Sequence, residues 1–330
     1  MTDFRQLVHS PAELAQEHVA WAKHLKGAPG VPFGLPSVDE KVIPFHPGDM
    51  VAFVARPGHG KTSILAYLAR AEAKRIQKRE AAETEAVVYV TWEQVTEEIN
   101  AVLDIGGSYT VSDIAWGRAS LDAVEGQARK RAGMPIWLIG DSLARTDAHS
   151  PRMYPDAVFA AIESMAEDYG VKPTLLCFDY IQLIPIPAQA DRMKQVTEAA
   201  HRCKELAKRV GCPAAVAVQA RREVDSRDIK IPGLWDAQWA SSIEQTSDKY
   251  FSLWRPWLTE DRGGVIDIDG RPVPVTENLL ILSMQKQRFE NGRWTWALWF
   301  DPATLELREL EIRRAPLNDE PPPGMRIWQT

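Results

Sequence analysis

The chain has 330 residues with a formal net charge of −6, 45% hydrophobic and 25% charged residues, enough for one large α/β domain plus an appendage. The acidic balance excludes a uniformly basic nucleic-acid coat, though not a locally basic channel, and no apolar run reaches the ~20 residues that span a bilayer or forms a signal core after Met1. The three cysteines, Cys177, Cys203 and Cys212, form no C-x-x-C pair and read as reduced thiols of a cytoplasmic protein, not as staples or zinc ligands.

Ser10-Pro11-Ala12-Glu13 is a capping box with proline at the first helical position, so a helix starts there and runs to about Lys26. Its apolar stripe of Leu14, Trp21 and Leu25 is narrow, which suits docking onto another surface; packing on its own domain stays open. Residues 27–32 read as a linker, which gives a linker helix and linker over residues 1–33 and a main domain over 34–313. In the main domain, strands are expected at 50–54, 87–91, 136–139, 174–179, 214–219, 249–254 and 279–286, with helices at 63–78, 119–131, 155–169 and 194–210. The early strands are almost wholly apolar and alternate with helices, the pattern of a mostly parallel sheet flanked by helices on both faces. Asp269-Gly270 and Asn291-Gly292 are hairpin signals, so antiparallel strands are expected to close the sheet at its C-terminal edge. Residues 314–330, which include Asp319-Glu320-Pro321-Pro322-Pro323, read as a flexible tail.

The segment Ala55-Arg56-Pro57-Gly58-His59-Gly60-Lys61-Thr62 follows the first strand and leads through Ser63 into a helix. Strand, glycine-rich turn, Lys-Thr and helix together make a phosphate cradle, in which backbone N–H groups face phosphate oxygens. Lys61 then reaches the β- and γ-phosphates and the Thr62 hydroxyl holds Mg²⁺, so the expected ligand is a nucleoside triphosphate with magnesium. Ala55 stands where the pattern has its first glycine; a methyl group fits there if the backbone keeps a negative φ.

Other segments supply what hydrolysis needs. Asp179 ends an apolar strand and is placed to hold the metal shell. Glu93 follows the strand at 87–91 and can orient and deprotonate an attacking water, whereas Glu97 and Glu98 read as solvated helix-start residues. Gln219 ends another strand, where a neutral amide can sense the γ-phosphate. Lys286 and Arg288 lie far along the chain, where two cations can either reach a neighbour's phosphates or serve as a basic sheet edge.

Taken in order, these segments resemble the motor domain of replicative ring helicases of the DnaB type, within the RecA superfamily. The resemblance rests on the Ala55–Thr62 loop, Thr91-Trp92-Glu93-Gln94, Phe178-Asp179-Tyr180-Ile181-Gln182-Leu183, Val218-Gln219-Ala220-Arg221-Arg222, Ser242-Ile243-Glu244-Gln245 and Lys286-Gln287-Arg288. It implies a RecA-like P-loop NTPase fold, a homo-oligomeric ring of six subunits with ATP between them, and single-stranded DNA in the pore. It assigns Lys286 and Arg288 to the neighbour's nucleotide, and it gives the N-terminal helix a place on the adjacent subunit.

Two departures stand out. The family's N-terminal helical domain, which contacts primase, is not in this chain. Residues 238–241 (Gln238-Trp239-Ala240-Ser241) align with a family stretch that touches DNA phosphates through an arginine; here that cation is lost and Trp239 is gained. Trp239 can stack on a base or pack against protein. Replacement cations for DNA are Arg192, Lys194, Arg221, Arg222, Arg227 and Lys230, interleaved with Asp191, Glu223, Asp225 and Asp228, so weak, salt-sensitive binding is expected. The departures keep two further readings open: a nucleotide-dependent switch that holds a partner protein of a replication, phage, plasmid or defence system, and a RecA-like recombination mediator.

Overall fold

The computed structural model describes residues 8–27, 30–104, 109–144, 153–187, 191–227, 229–238, 242–259, 262–268, 270–290 and 292–310. Its helices are α1 Pro11–Gly27, α2 Pro36–Asp39, α3 Lys61–Lys78, α4 Thr96–Leu103, α5 Val111–Ala115, α6 Leu121–Ala132, α7 Pro155–Tyr169, α8 Arg192–Val210 and α9 Ser242–Thr246. Its strands are β1 Met50–Ala55, β2 Glu85–Thr91, β3 Ile136–Ile139, β4 Lys172–Asp179, β5 Ala214–Gln219, β6 Lys249–Trp254, β7 Val265–Ile268, β8 Arg271–Pro274, β9 Leu279–Gln287, β10 Trp294–Phe300 and β11 Leu307–Glu309.

β1 is buried along its whole length because it is covered on both faces. Side chains alternate across a strand, so Val51, Phe53 and Ala55 join one core with Ile64, Leu65, Leu68 and Ile76 of α3. Met50, Ala52 and Val54 join a second core with Val158 and Ile162 of α7 and Val196 and Ala200 of α8. In the first core the rings of Phe53 and Phe251 stack at 5.2 Å between centroids. Cys177, Cys203 and Cys212 are all buried free thiols.

The main sheet runs β11-β10-β9-β6-β1-β5-β4-β2-β3. From β6 to β3 every neighbouring pair is parallel. β9 pairs antiparallel with β6, β10 with β9, and β11 with β10. The fold is therefore a mostly parallel sheet between helices with antiparallel strands at one edge, as the strand pattern predicts.

Two local expectations shift and one is sharpened. β7 pairs antiparallel with β8, but as a separate two-stranded sheet and not as part of the closing edge. Its apolar side chains Ile268 and Val273 pack with Trp254, Leu279 and Ile281 in a cluster of their own. The folded domain begins earlier than residue 34, since Val31 is 6% and Phe33 0% exposed and Val31 bridges Phe45. Helix α1 carries its capping box, with the Ser10 N–H donating to Glu13 Oε2 at 2.7 Å, yet none of its residues is buried. The tail expected at 314–330 lies outside the described residues.

Candidate nucleotide site

Parallel strands put their carboxyl ends on one edge, and ligands of open α/β sheets bind there. Ala55 of β1 stands level with Gln219 of β5, and Thr91 of β2 level with Asp179 of β4. Four chain segments far apart in sequence thus deliver the Ala55–Ser63 loop, Glu93, Asp179 and Gln219 to the same edge.

Ala55 is the last residue of β1, fully buried and not at positive φ, so its methyl group fits the strand. The turn that follows needs glycine at two points: Gly58 has φ +79° and Gly60 φ +92°, the left-handed region. Gly60 precedes α3, so the first N–H groups of that helix, including those of Lys61, Thr62 and Ser63, have no acceptor within the helix and face outward as an anion cradle. His59 is buried, and its Nδ1 accepts the Arg255 backbone N–H at 3.0 Å, which ties the loop to the end of β6. Burial depresses the His59 pKa to about 4, so its ring is neutral at physiological pH. The Arg56 guanidinium turns away from the cradle, donating to Asp225 at 2.9 and 3.0 Å and to the Ala220 carbonyl at 3.1 Å. Pro57 stands between this anchored arginine and Gly58.

Lys61 Nζ donates to the Arg56 carbonyl at 3.3 Å and approaches that of Ala55 at 3.5 Å, curled back over its own loop. Burial lowers its pKa, and the charges of Asp179 and Glu93 oppose that shift. Asp179 is 2% exposed. The Tyr89 hydroxyl donates to its Oδ2 at 2.8 Å, while Oδ1 is buried without a hydrogen-bond partner. Burial raises the Asp179 pKa against the lowering effect of the Thr62 and Tyr89 hydroxyls. A buried carboxylate with one orphaned oxygen beside a hydroxyl fits a hard cation such as Mg²⁺, which takes few protein ligands. Glu93 lies exposed beyond β2, with its pKa raised by partial burial of the carboxyl and by the Asp179 charge.

Lys286 and Arg288 are elsewhere. Lys286 pairs with Tyr250, and Gln287 with Lys249, which is level with Val51 at the opposite end of β1. Four strand residues, ~13 Å, and two strand spacings separate them from the phosphate loop of their own chain. Lys286 Nζ donates to the carbonyls of Glu244 at 2.5 Å and Ser247 at 2.8 Å, at the end of α9; burial and the charge of Arg288 lower its pKa. Arg288 is half exposed and lies 3.2 Å from Asp248 Oδ1.

The candidate DNA cations follow the carboxyl edge. Arg192 and Lys194 open α8, where both are exposed, and the Arg192 guanidinium donates to the Gln182 carbonyl and to Gln195 Oε1. Arg221 and Arg222 are exposed just after β5, and Lys230 is half-buried. Arg227 is held by Asp236 in a bidentate pair at 2.6 and 2.7 Å. Trp239 lies outside the described residues. In the same segment the structure presents Trp235, 64% exposed, which the sequence reading did not single out. It also missed Tyr89, the buried partner of Asp179, whose only signal was a polar group in an apolar run, and it held Gln182 only as a letter of the Phe178–Leu183 segment, without its place beside Gln219. Among the described residues there is no group of three or more His, Cys, Asp or Glu side chains able to hold a metal, and no helix is long and apolar enough to cross a membrane.

Fold and site together define a RecA-like α/β domain with a phosphate-loop edge. The family model of the DnaB-like helicase C terminal domain matches residues 30–292, and the chain belongs to that family. It is 28% identical over 233 residues to the replicative DNA helicase DnaB of Rickettsia bellii, covering 68% of this chain and 45% of that protein. The DnaB of Pasteurella multocida is 27% identical over 285 residues, 80% of this chain and 56% of the relative. The chain therefore spans about half the length of the curated relatives it matches. Among solved structures, one described as an ATPase domain superposes with a TM-score of 0.72 at 19% identity, over 92% of this chain and 100% of that one. A DnaB-like replicative helicase studied with primase gives 0.70 at 19% identity, over 89% of this chain and 67% of the other. At that identity the two structures speak for the fold.

Proposed function

We propose that the chain hydrolyses ATP at the carboxyl edge of its sheet and uses the turnover to move along single-stranded DNA and unwind duplex DNA, as one subunit of a ring of six. What carries the reading is the convergence of Lys61, Thr62, Glu93, Asp179 and Gln219 on one edge. The loop from Arg56 to Ser63 cradles the phosphates, and Lys61 leaves its own carbonyls for the β- and γ-oxygens. Thr62 and Asp179 would hold Mg²⁺, which when bound supplies positive charge against the phosphate oxygens. Glu93, with its raised pKa, orients the attacking water and takes its proton. Gln219 reads the γ-phosphate position from the end of β5.

Lys286 and Arg288 are too far from this chain's loop to serve it, which supports a role at a neighbour's nucleotide, where two cations stabilise transition-state charge. α1, with no buried residue, supports docking on that neighbour. DNA would run past Arg192, Lys194, Arg221, Arg222, Lys230 and Trp239, with Arg227 fixing the loop through Asp236. The relatives are named replicative DNA helicases, which favours a soluble, cytoplasmic motor with single-stranded DNA and a replication or mobile-element protein as partners.

One observation favours the switch reading as a second: Arg227, one of the candidate DNA cations, is already paired with Asp236. The test is the ATPase rate with and without single-stranded DNA at low salt, on the parent and on Glu93→Gln. The motor reading expects stimulation, with Glu93→Gln binding ATP without turning it over. Parent-rate hydrolysis by Glu93→Gln would sink the catalytic assignment. Absence of both stimulation and DNA binding would replace the motor with the switch.

A further inference from the structure

The β4–β5 ladder is short: Leu176, Cys177 and Phe178 pair with Ala214, Ala215 and Val216, and pairing stops there. β5 continues to Gln219, three residues beyond its last partner on that side. The Gln182 side chain fills this place. Its Nε2 donates to the Gln219 carbonyl at 3.1 Å, and its Oε1 accepts the Gln219 N–H at 3.1 Å. A primary amide thus substitutes for the missing strand and satisfies both backbone groups of one residue. Gln182 is 2% exposed and belongs to the short 3-10 turn Ile181–Leu183 that leaves the Asp179 end of β4. On its other side the Gln182 carbonyl accepts from Arg192, the first residue of α8. On the far side of Gln219, the Ala220 N–H donates to the Ala55 carbonyl at 2.9 Å, and the Ala220 carbonyl accepts from Arg56 at 3.1 Å.

We propose that Gln182 is a positioning residue: its amide fixes the Gln219 backbone at the γ-phosphate end of the site and joins it to Arg192 at the start of α8. The inference rests on the ATP reading above. Any shift of Arg192 on meeting a polyanion pulls on the Gln182 carbonyl, three residues from Asp179, and through the side-chain amide on Gln219. Gln182 touches no phosphate. Its loss therefore acts on turnover and on the response to DNA while leaving the affinity of the loop for ATP intact.

The experiment is steady-state ATPase kinetics on the full chain, with and without single-stranded oligonucleotide, for Gln182→Leu, Gln182→Glu, Arg192→Ala and the Gln182→Leu/Arg192→Ala double variant. Gln182→Leu should lower kcat about tenfold with KM for ATP changed less than about twofold, the split expected when an interaction matters only in the transition state. Gln182→Glu keeps the side-chain volume and the acceptor for the Gln219 N–H, but once ionised it sets a buried carboxylate against the Gln219 carbonyl, so kcat should fall at least as far as in Gln182→Leu, with the side-chain volume preserved. Arg192→Ala should reduce the DNA-stimulated rate in the parent background and cause no further loss beside Gln182→Leu, since coupled residues are non-additive. A parent-like kcat in Gln182→Leu and Gln182→Glu, or an additive double variant, overturns the inference and leaves the ATP reading standing. A parent chain with no ATPase overturns both.

Discussion

Tyr89→Phe isolates the hydrogen bond that holds Asp179. The substitution removes one hydroxyl, keeps the ring in the core where Tyr89 is fully buried, and leaves Asp179 with neither oxygen bonded to Tyr89. A hydrogen bond to a charged group is worth ~1.5–3 kcal/mol, and about 1.4 kcal/mol is one pKa unit. The Asp179 pKa, already raised by burial, should therefore rise further when this hydrogen bond is lost. Asp179 holds a cation only when ionised, so the acid limb of Mg²⁺-dependent turnover should move to higher pH. The sign for stability follows from linkage: a carboxyl whose pKa is raised on folding contributes stability that is complete below its unfolded value, ~3.9, and is lost as pH rises through the folded value. Metal-free Tyr89→Phe should thus match the parent in acid and fall below it at neutral pH, and Mg²⁺ with nucleotide should recover part of the difference. The assay is a pH–rate profile beside chemical denaturation at two pH values. An acid limb that coincides in variant and parent would refute the idea that Tyr89 keeps Asp179 ionisable.

Two further changes probe the phosphate loop. Since the His59 pKa falls from 6.5 to about 4 on folding, its neutral form stabilises the chain above about pH 6.5, and that contribution is lost as pH drops toward about 4; His59→Gln should flatten the stability profile in this window, seen by denaturation at about pH 4.5 and about pH 7.5. Gly60→Ala meets nothing closer than Leu280 Cδ1 at 3.8 Å, so its cost is the left-handed backbone alone, ~1–2 kcal/mol; thermal unfolding should show that loss, and nucleotide binding should weaken with it.

Much of this architecture is legible in sequence because a strand covered on both faces must be an apolar run. β3, β5 and β6 fall at their expected positions, and β1 within one residue. β10 is legible only as the strand that the Asn291-Gly292 hairpin signal implies, without its bounds, because its Trp294-Thr295-Trp296-Ala297 stretch is only half-buried. The phosphate loop is readable since phosphate binding constrains neighbouring residues. The hold on Asp179 is not, because Tyr89 lies 90 positions upstream and looks like ordinary strand filling. Gln182 is hidden for a related reason: that its amide replaces a strand shows only when the β4–β5 ladder is seen to stop at Phe178. Lys286 and Arg288 can be picked out by spacing, but their separation from their own loop emerges from the register of β6 against β1 and β9.

The claim that one chain's phosphate loop is completed by another chain's Lys286 and Arg288 meets its most direct test in a mixing experiment. Lys61→Ala and Arg288→Ala chains are each assayed for ATPase alone and after co-assembly in equal amounts. Each should be inactive by itself, while in random mixed rings on the order of a quarter of the boundaries join an intact loop to an intact arginine and should recover activity in proportion. A mixture as inactive as its parts, with co-assembly verified, would contradict a shared site.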